Sequence, residues 1–182
     1  MKQKWSFVTI SLFGLLVSLF TVAQNTYTTA NTGGTGIRNA GFGFGALTSN
    51  TGSNNTGIGI YSLSLNTSGN ANAALGARTL YNNTIGYQNI AIGNLSLYDN
   101  VSGFSNIGIG THALFNNQSG RYNIAIGDSA LYNVTNISFM DPNLSVGLVA
   151  IGSKSLYSNT TGYYNTAVGY QSLNTNTIGS VN

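Results

Sequence analysis

The sequence predicts an all-β fold: a single-chain β-solenoid, a parallel β-roll of about eight 17-residue coils behind an N-terminal signal peptide. Three observations predict it. A glycine recurs at 43, 59, 76, 93, 110, 127, 152 and 169, in steps of 16, 17, 17, 17, 17, 25 and 17; so short a period marks stacked coils. The composition suits turns and short strands, with 24 Gly, one Pro, no Cys, no Glu and only 5% charged residues among 182. Ile and Leu fall at fixed places in the period, which separates this chain from a disordered low-complexity segment.

The opening stretch, MKQKWSFVTISLFGLLVSLFTVAQ, has a basic start (Lys2, Lys4), an apolar run from Trp5 to Phe20, and small residues at Thr21 and Ala23. It reads as a secretory signal peptide over residues 1–23, cleaved after Ala23. An uncleaved anchor is the alternative, because residues 5–23 nearly span a bilayer. The polar Gln-Asn-Thr that follows favours cleavage and export, to the cell surface, the outer membrane or the extracellular space. Without cysteine the exported chain has to be stable with no crosslinks. Beyond the leader, Arg38, Arg78, Arg121 and Lys154 stand against Asp99, Asp128 and Asp141. There is no basic patch, so a nucleic-acid partner is not expected, nor is membrane insertion by the repeats.

Residues 24–38 form a lead-in or cap, and 39–182 the repeats. The long step is one period plus a loop, placed in NISFMDPN near 136–143. The last unit starts at Asn165, so Asn182 is the first letter of a ninth, which reads as a truncation.

Counting Asn39 as position 1, position 9 is always Leu (Leu47, Leu63, Leu80, Leu97, Leu114, Leu131, Leu156, Leu173). Position 4 is Phe42, Ile58, Leu75, Ile92, Ile109, Ile126, Ile151 and Val168. These columns predict the core, facing each other from two short strands of a coil, with Ile92, Leu97, Ile109, Leu114, Ile126 and Leu131 at its centre. Position 3 is only Ala or Gly, and position 8 only Ala, Ser or Thr, which implies close approach by another stretch of backbone. The glycine at position 5 fits a corner, where φ is positive or a Cβ would clash. Asn at position 1, interrupted by Leu148, and at position 12 predict amide ladders, each Asn donating to the next. Thr-x-Gly or Ser-Gly at 13 to 15 supplies a second corner. Position 10 carries Tyr81, Tyr98, Phe115, Tyr132 and Tyr157, a candidate stripe for ligand or subunit contact.

No catalytic pattern emerges. GFGFG at 41–45 lacks the helix and distal acid of a dinucleotide loop. Three Asp are too few for a calcium-binding roll. The sole His, His112, lies in a variable polar column, with no nucleophile set. Asp99 and Asp128 occupy different columns and form no acid/base pair. No cofactor or metal is implied. Sequons at Asn66, Asn83, Asn117 and Asn159 follow from the repeat itself.

The unit N-x-A-I-G-x-x-A-L-Y-N-N-x-x-G resembles the YadA-like head repeats of trimeric autotransporter adhesins. It looks closer still to variant repeats of bacterial surface proteins and phage-type fibres. The resemblance covers residues 39–182. It implies a left-handed parallel β-roll, a homotrimer, and a surface-exposed adhesive fibre that binds an extracellular protein or glycan. Two further expectations stay open: an ice- or carbohydrate-binding solenoid, and the fibre part of a larger protein with a C-terminal chaperone or anchor domain.

Overall fold

The computed structural model describes residues 28–29, 36–135 and 146–182. The expected signal peptide (1–23) and inserted loop (136–143) lie outside the described residues. The chain is a β-solenoid. Strands β2 (Ala40–Phe42), β3 (Thr56–Ile58), β4 (Ala73–Leu75), β5 (Ile90–Ile92), β6 (Ile107–Ile109), β7 (Ile124–Ile126), β8 (Val149–Ile151) and β9 (Thr166–Val168) lie side by side in sequence order. All are parallel and in register, so Ile90 faces Ile107 and Ile107 faces Ile124. At the N-terminal edge β1 (Thr28–Thr29) pairs antiparallel with β2. No helix occurs among the described residues.

Each coil therefore has one three-residue strand rather than two. The rest is a chain of turns, whose backbone bonds run mostly from coil to coil. Leu97 N donates to the Ala113 carbonyl at 2.9 Å, and His112 N to that of Asn94 at 3.0 Å. Three residues per coil adopt left-handed φ, at positions 7, 9 and 17; in one coil these are Leu95 (57°), Leu97 (51°) and Ser105 (54°). Such a φ costs an ordinary L-residue about 1 kcal/mol or more. It breaks the in–out alternation of an extended chain, so the adjacent positions 8 and 9 both point inward. Ala113 and Leu114 are both fully buried, as are Ala130 and Leu131.

The core is one Leu per coil from Leu47 to Leu156, packed against the small residues of positions 3 and 8; Leu173 of the last coil, expected in the same column, has no coil stacked beyond it and is 38% exposed. Leu97, Leu114 and Leu131 are at its centre, as expected. Ile92, Ile109 and Ile126 are not: Ile92 is 38% and Ile126 36% exposed, and Ile109 is half-exposed. On each three-residue strand the middle residue points in and its neighbours out, the burial pattern of β5 being exposed, buried, exposed. The coil is too thin for Ile opposite Leu. A Cβ built on Gly108 would already lie 2.7 Å from Ser96 Oγ and 3.3 Å from Leu97 Cδ1. The close approach at position 3 is therefore by the chain's own coils, and these residues are unavailable to another subunit.

Both corner glycines are explained. At position 5, Gly76, Gly93 and Gly110 have φ of 140°, 122° and 132°, and a Cβ on Gly93 would meet the Gly110 carbonyl oxygen at 2.6 Å. At position 15, a Cβ on Gly103 would sit 2.2 Å from Asn100 Oδ1 and 2.5 Å from the Gly120 oxygen.

The Asn columns form the expected ladders inside the coil. Asn89 Nδ2 donates to Asn72 Oδ1 at 3.1 Å and to the Gly103 carbonyl at 2.8 Å, and Asn106 repeats the pattern with Asn89 and Gly120. In position 12, Asn100 Nδ2 donates to Asn83 Oδ1 at 2.7 Å and Asn117 to Asn100 at 3.0 Å. Donation runs to the preceding coil, not to the following one. Each amide nitrogen is also held by the glycine carbonyl of its own coil, which leaves Oδ1 to accept from the next. These amides are fully buried, and burial without such partners would cost each coil several kcal/mol, on the order of 1–3 per group.

Candidate functional site

No helix of the described residues is long and apolar enough to cross a membrane, and among them no three His, Cys, Asp or Glu side chains come together. The surfaces that can meet a partner are thus the outward sheet face, the aromatic columns and the polar turn side.

The outward face is built by positions 2 and 4. Its exposed members include Phe42, Ile58, Leu75, Ile90, Ile92 and Ile126, with Ile151 and Val168 continuing it. Because the register is strict, like residues stack into parallel aliphatic rows on one side of the molecule. Exposed apolar surface of this continuity makes the face a candidate interaction site. Sequence reasoning missed the face because it assigned the Ile column to the interior. The signal was present: Ile and Val also occur at position 2, and 2 and 4 share a face.

Position 10 behaves differently from an open stripe. Tyr81, Tyr98, Phe115, Tyr132 and Tyr157 are half-buried and stack ring on ring. Centroids lie 5.4, 5.1, 5.1 and 5.3 Å apart, and neighbouring planes are nearly parallel. Their faces are occupied by one another, which leaves no open stripe of ring faces. His112 packs against Phe115 and Tyr132 at 5.4 and 5.9 Å, a packing role in a left-handed turn. A second aromatic column, unforeseen from the sequence, pairs Tyr87 with Phe104 at 4.7 Å, with Arg121 over the Phe104 ring at 5.7 Å.

The polar side carries Thr at position 13 in six coils, with Val101 and Gln118 in the other two, and mostly polar residues at position 11. The position 13 hydroxyls donate to the carbonyl of the next coil, Thr67 to Thr84 at 2.9 Å and Thr84 to Val101 at 3.0 Å. They do not present a row of free donors of the kind an ice-binding ladder would use. Asp99 accepts from Asn82 Nδ2 at 2.7 Å, and Asp128 from Ser129; the two carboxylates are not brought together. The sequon residues Asn66, Asn83, Asn117 and Asn159 are fully buried in the ladder, so the folded coils do not offer them for glycosylation.

Comparison of the chain with protein-family models, with curated proteins and with solved structures gives no match. What the fold defines is the class: an all-β repeat protein, a parallel β-solenoid.

Proposed function

We propose that this chain is a structural and adhesive module, exported to the cell surface, the outer membrane or the extracellular space. It acts as a homotrimer whose copies meet through positions 2 and 4. The observation that carries this reading is the continuous apolar face on a regular solenoid. A face of stacked aliphatic rows is complementary to itself, and three copies are the number that the resemblance to trimeric adhesin heads implies. In this reading the copies touch through the Ile columns, and the position 10 rings serve as a ladder within each copy. The leader sequence and the repeats support display outside the cell. The near-absence of charge leaves the ligand, an extracellular protein or glycan, to be held by shape, amides and hydroxyls.

Beads coated with the purified protein test the adhesive role. They should be retained under flow by at least one member of a panel of immobilised extracellular-matrix proteins and polysaccharides, above beads coated with an unrelated protein. Equal retention of both bead types across the whole panel would overturn it.

A further inference from the structure

The polar side of the solenoid contains a groove of about 410 Å³, lined by Leu65, Asn82, Thr84, Asp99, Val101 and Gln118. These are position 11 of three successive coils and position 13 of three, so the groove runs along the stack. The geometry points to this groove as the binding site for a linear, uncharged oligosaccharide lying parallel to the solenoid axis. The inference rests on the adhesive reading and names its ligand class and site.

The groove's chemistry selects the ligand. It is an open groove whose lining combines apolar side chains with a few polar groups, as carbohydrate-sized ligands require. Leu65 and Val101 supply the walls. Asp99 has one carboxylate oxygen engaged by Asn82 at 2.7 Å, and among the described residues it has no cationic partner. The Gln118 amide is exposed and makes no side-chain bond among the described residues. The Thr84 hydroxyl, its hydrogen given to Val101, still accepts. A planar amide that donates and accepts, beside a carboxylate that accepts, matches the adjacent hydroxyls of a sugar ring.

The other linear polymers fit less well. A peptide strand would need free backbone groups for pairing. Here Asn82 N, Asp99 N and Val101 N already donate to Tyr98, Phe115 and Gln118 carbonyls at 3.0, 3.0 and 2.9 Å. A nucleic acid would bring phosphates to a groove with a carboxylate and no cation among its lining residues. A polyhydroxylated chain meets neither obstacle, and its ring-by-ring repeat runs alongside the coil-by-coil repeat of polar side chains, about 4.8 Å per coil.

The test is amide chemical-shift mapping of the isotope-labelled protein with linear hexasaccharides: β-1,4-linked glucose, β-1,4-linked N-acetylglucosamine and α-1,4-linked glucose, with free glucose as a control. At least one hexasaccharide should shift the amides of Asn82, Thr84, Asp99, Val101 and Gln118, and bind more tightly than glucose. The pair Asp99→Ala and Gln118→Ala should weaken it at least about tenfold at an unchanged melting temperature. Gln118→Ala alone, at an exposed site, keeps the test interpretable if the pair is unstable, and should still weaken binding. No shift at these amides with any hexasaccharide, or binding indifferent to Gln118→Ala, would overturn the proposal. If coated beads were still retained in that case, the groove would be wrong and the adhesive reading would stand.

Discussion

Leu97 and Ile92 belong to the same coil and are alike in size and hydrophobicity, yet Leu97 is fully buried and Ile92 is 38% exposed. Left-handed turns on either side of position 8 turn Leu97 inward, while strand alternation turns Ile92 outward. Burial here follows backbone geometry, not side-chain type. The inner column holds each coil together, and the outer column leaves apolar surface exposed, the surface on which the proposed association rests. Substitutions in the two columns should therefore separate folding from association.

The largest effect is expected from Leu114→Asp. It places an unpaired charge in the sealed interior and should cost about 4 kcal/mol or more, unfolding at least the adjoining coils. His112→Asp, two residues earlier on a half-exposed turn, should shift the thermal midpoint little. Similar losses from both in circular-dichroism melts would contradict the assignment of inside and outside.

Next in size is Gly103→Ala. The added methyl would overlap Asn100 Oδ1 and the Gly120 carbonyl, and denaturant unfolding should show a loss of about 3 kcal/mol. The φ at this residue is not left-handed, so the loss would report coil-to-coil crowding alone.

A gain is expected where the ladder breaks. Position 12 is Val134 in the coil with the insertion, and Asn117 Oδ1 below it is buried with no hydrogen-bond partner. The same coil boundary replaces the position 1 Asn by Leu148, whose backbone N–H donates to Asn123 Oδ1 at 3.0 Å. The two amides give way together to apolar side chains, both fully buried. Val134→Asn should restore a donor to Asn117 and stabilise by up to about 1 kcal/mol, measured by denaturant midpoint.

The smallest change is Arg78→Asn. Arg78 is exposed with φ of 52°, and Asn tolerates that region better. A rise in stability below about 1 kcal/mol is expected, checked in the same unfolding series.

The period, the Leu column, the corner glycines and both Asn ladders were legible in the sequence because each depends on a residue type with a single physical use. Leu must be covered, Gly alone fits where a Cβ would strike the next coil, and buried Asn must pair. The direction in which Ile92, Ile109 and Ile126 point was not legible by hydrophobicity. Either parity of a three-residue strand satisfies alternation, and the choice was made by a coil too thin for Ile. Nor did residue type announce the left-handed turns, which fall on Arg78, Leu95 and His112 as readily as on Gly45. The groove combines positions 11 and 13 from different coils, a neighbourhood that depends on how the turns wind.

The outward column carries the central claim, and sedimentation tests it most directly. Wild-type protein and the triple variant Ile92→Asp, Ile109→Asp, Ile126→Asp should be run across a concentration series. The expected result is a wild-type trimer, and a variant that sediments as a monomer while keeping its circular-dichroism spectrum and cooperative melt. A well-folded wild-type monomer at the highest concentration, or a variant that still forms the trimer, would contradict it.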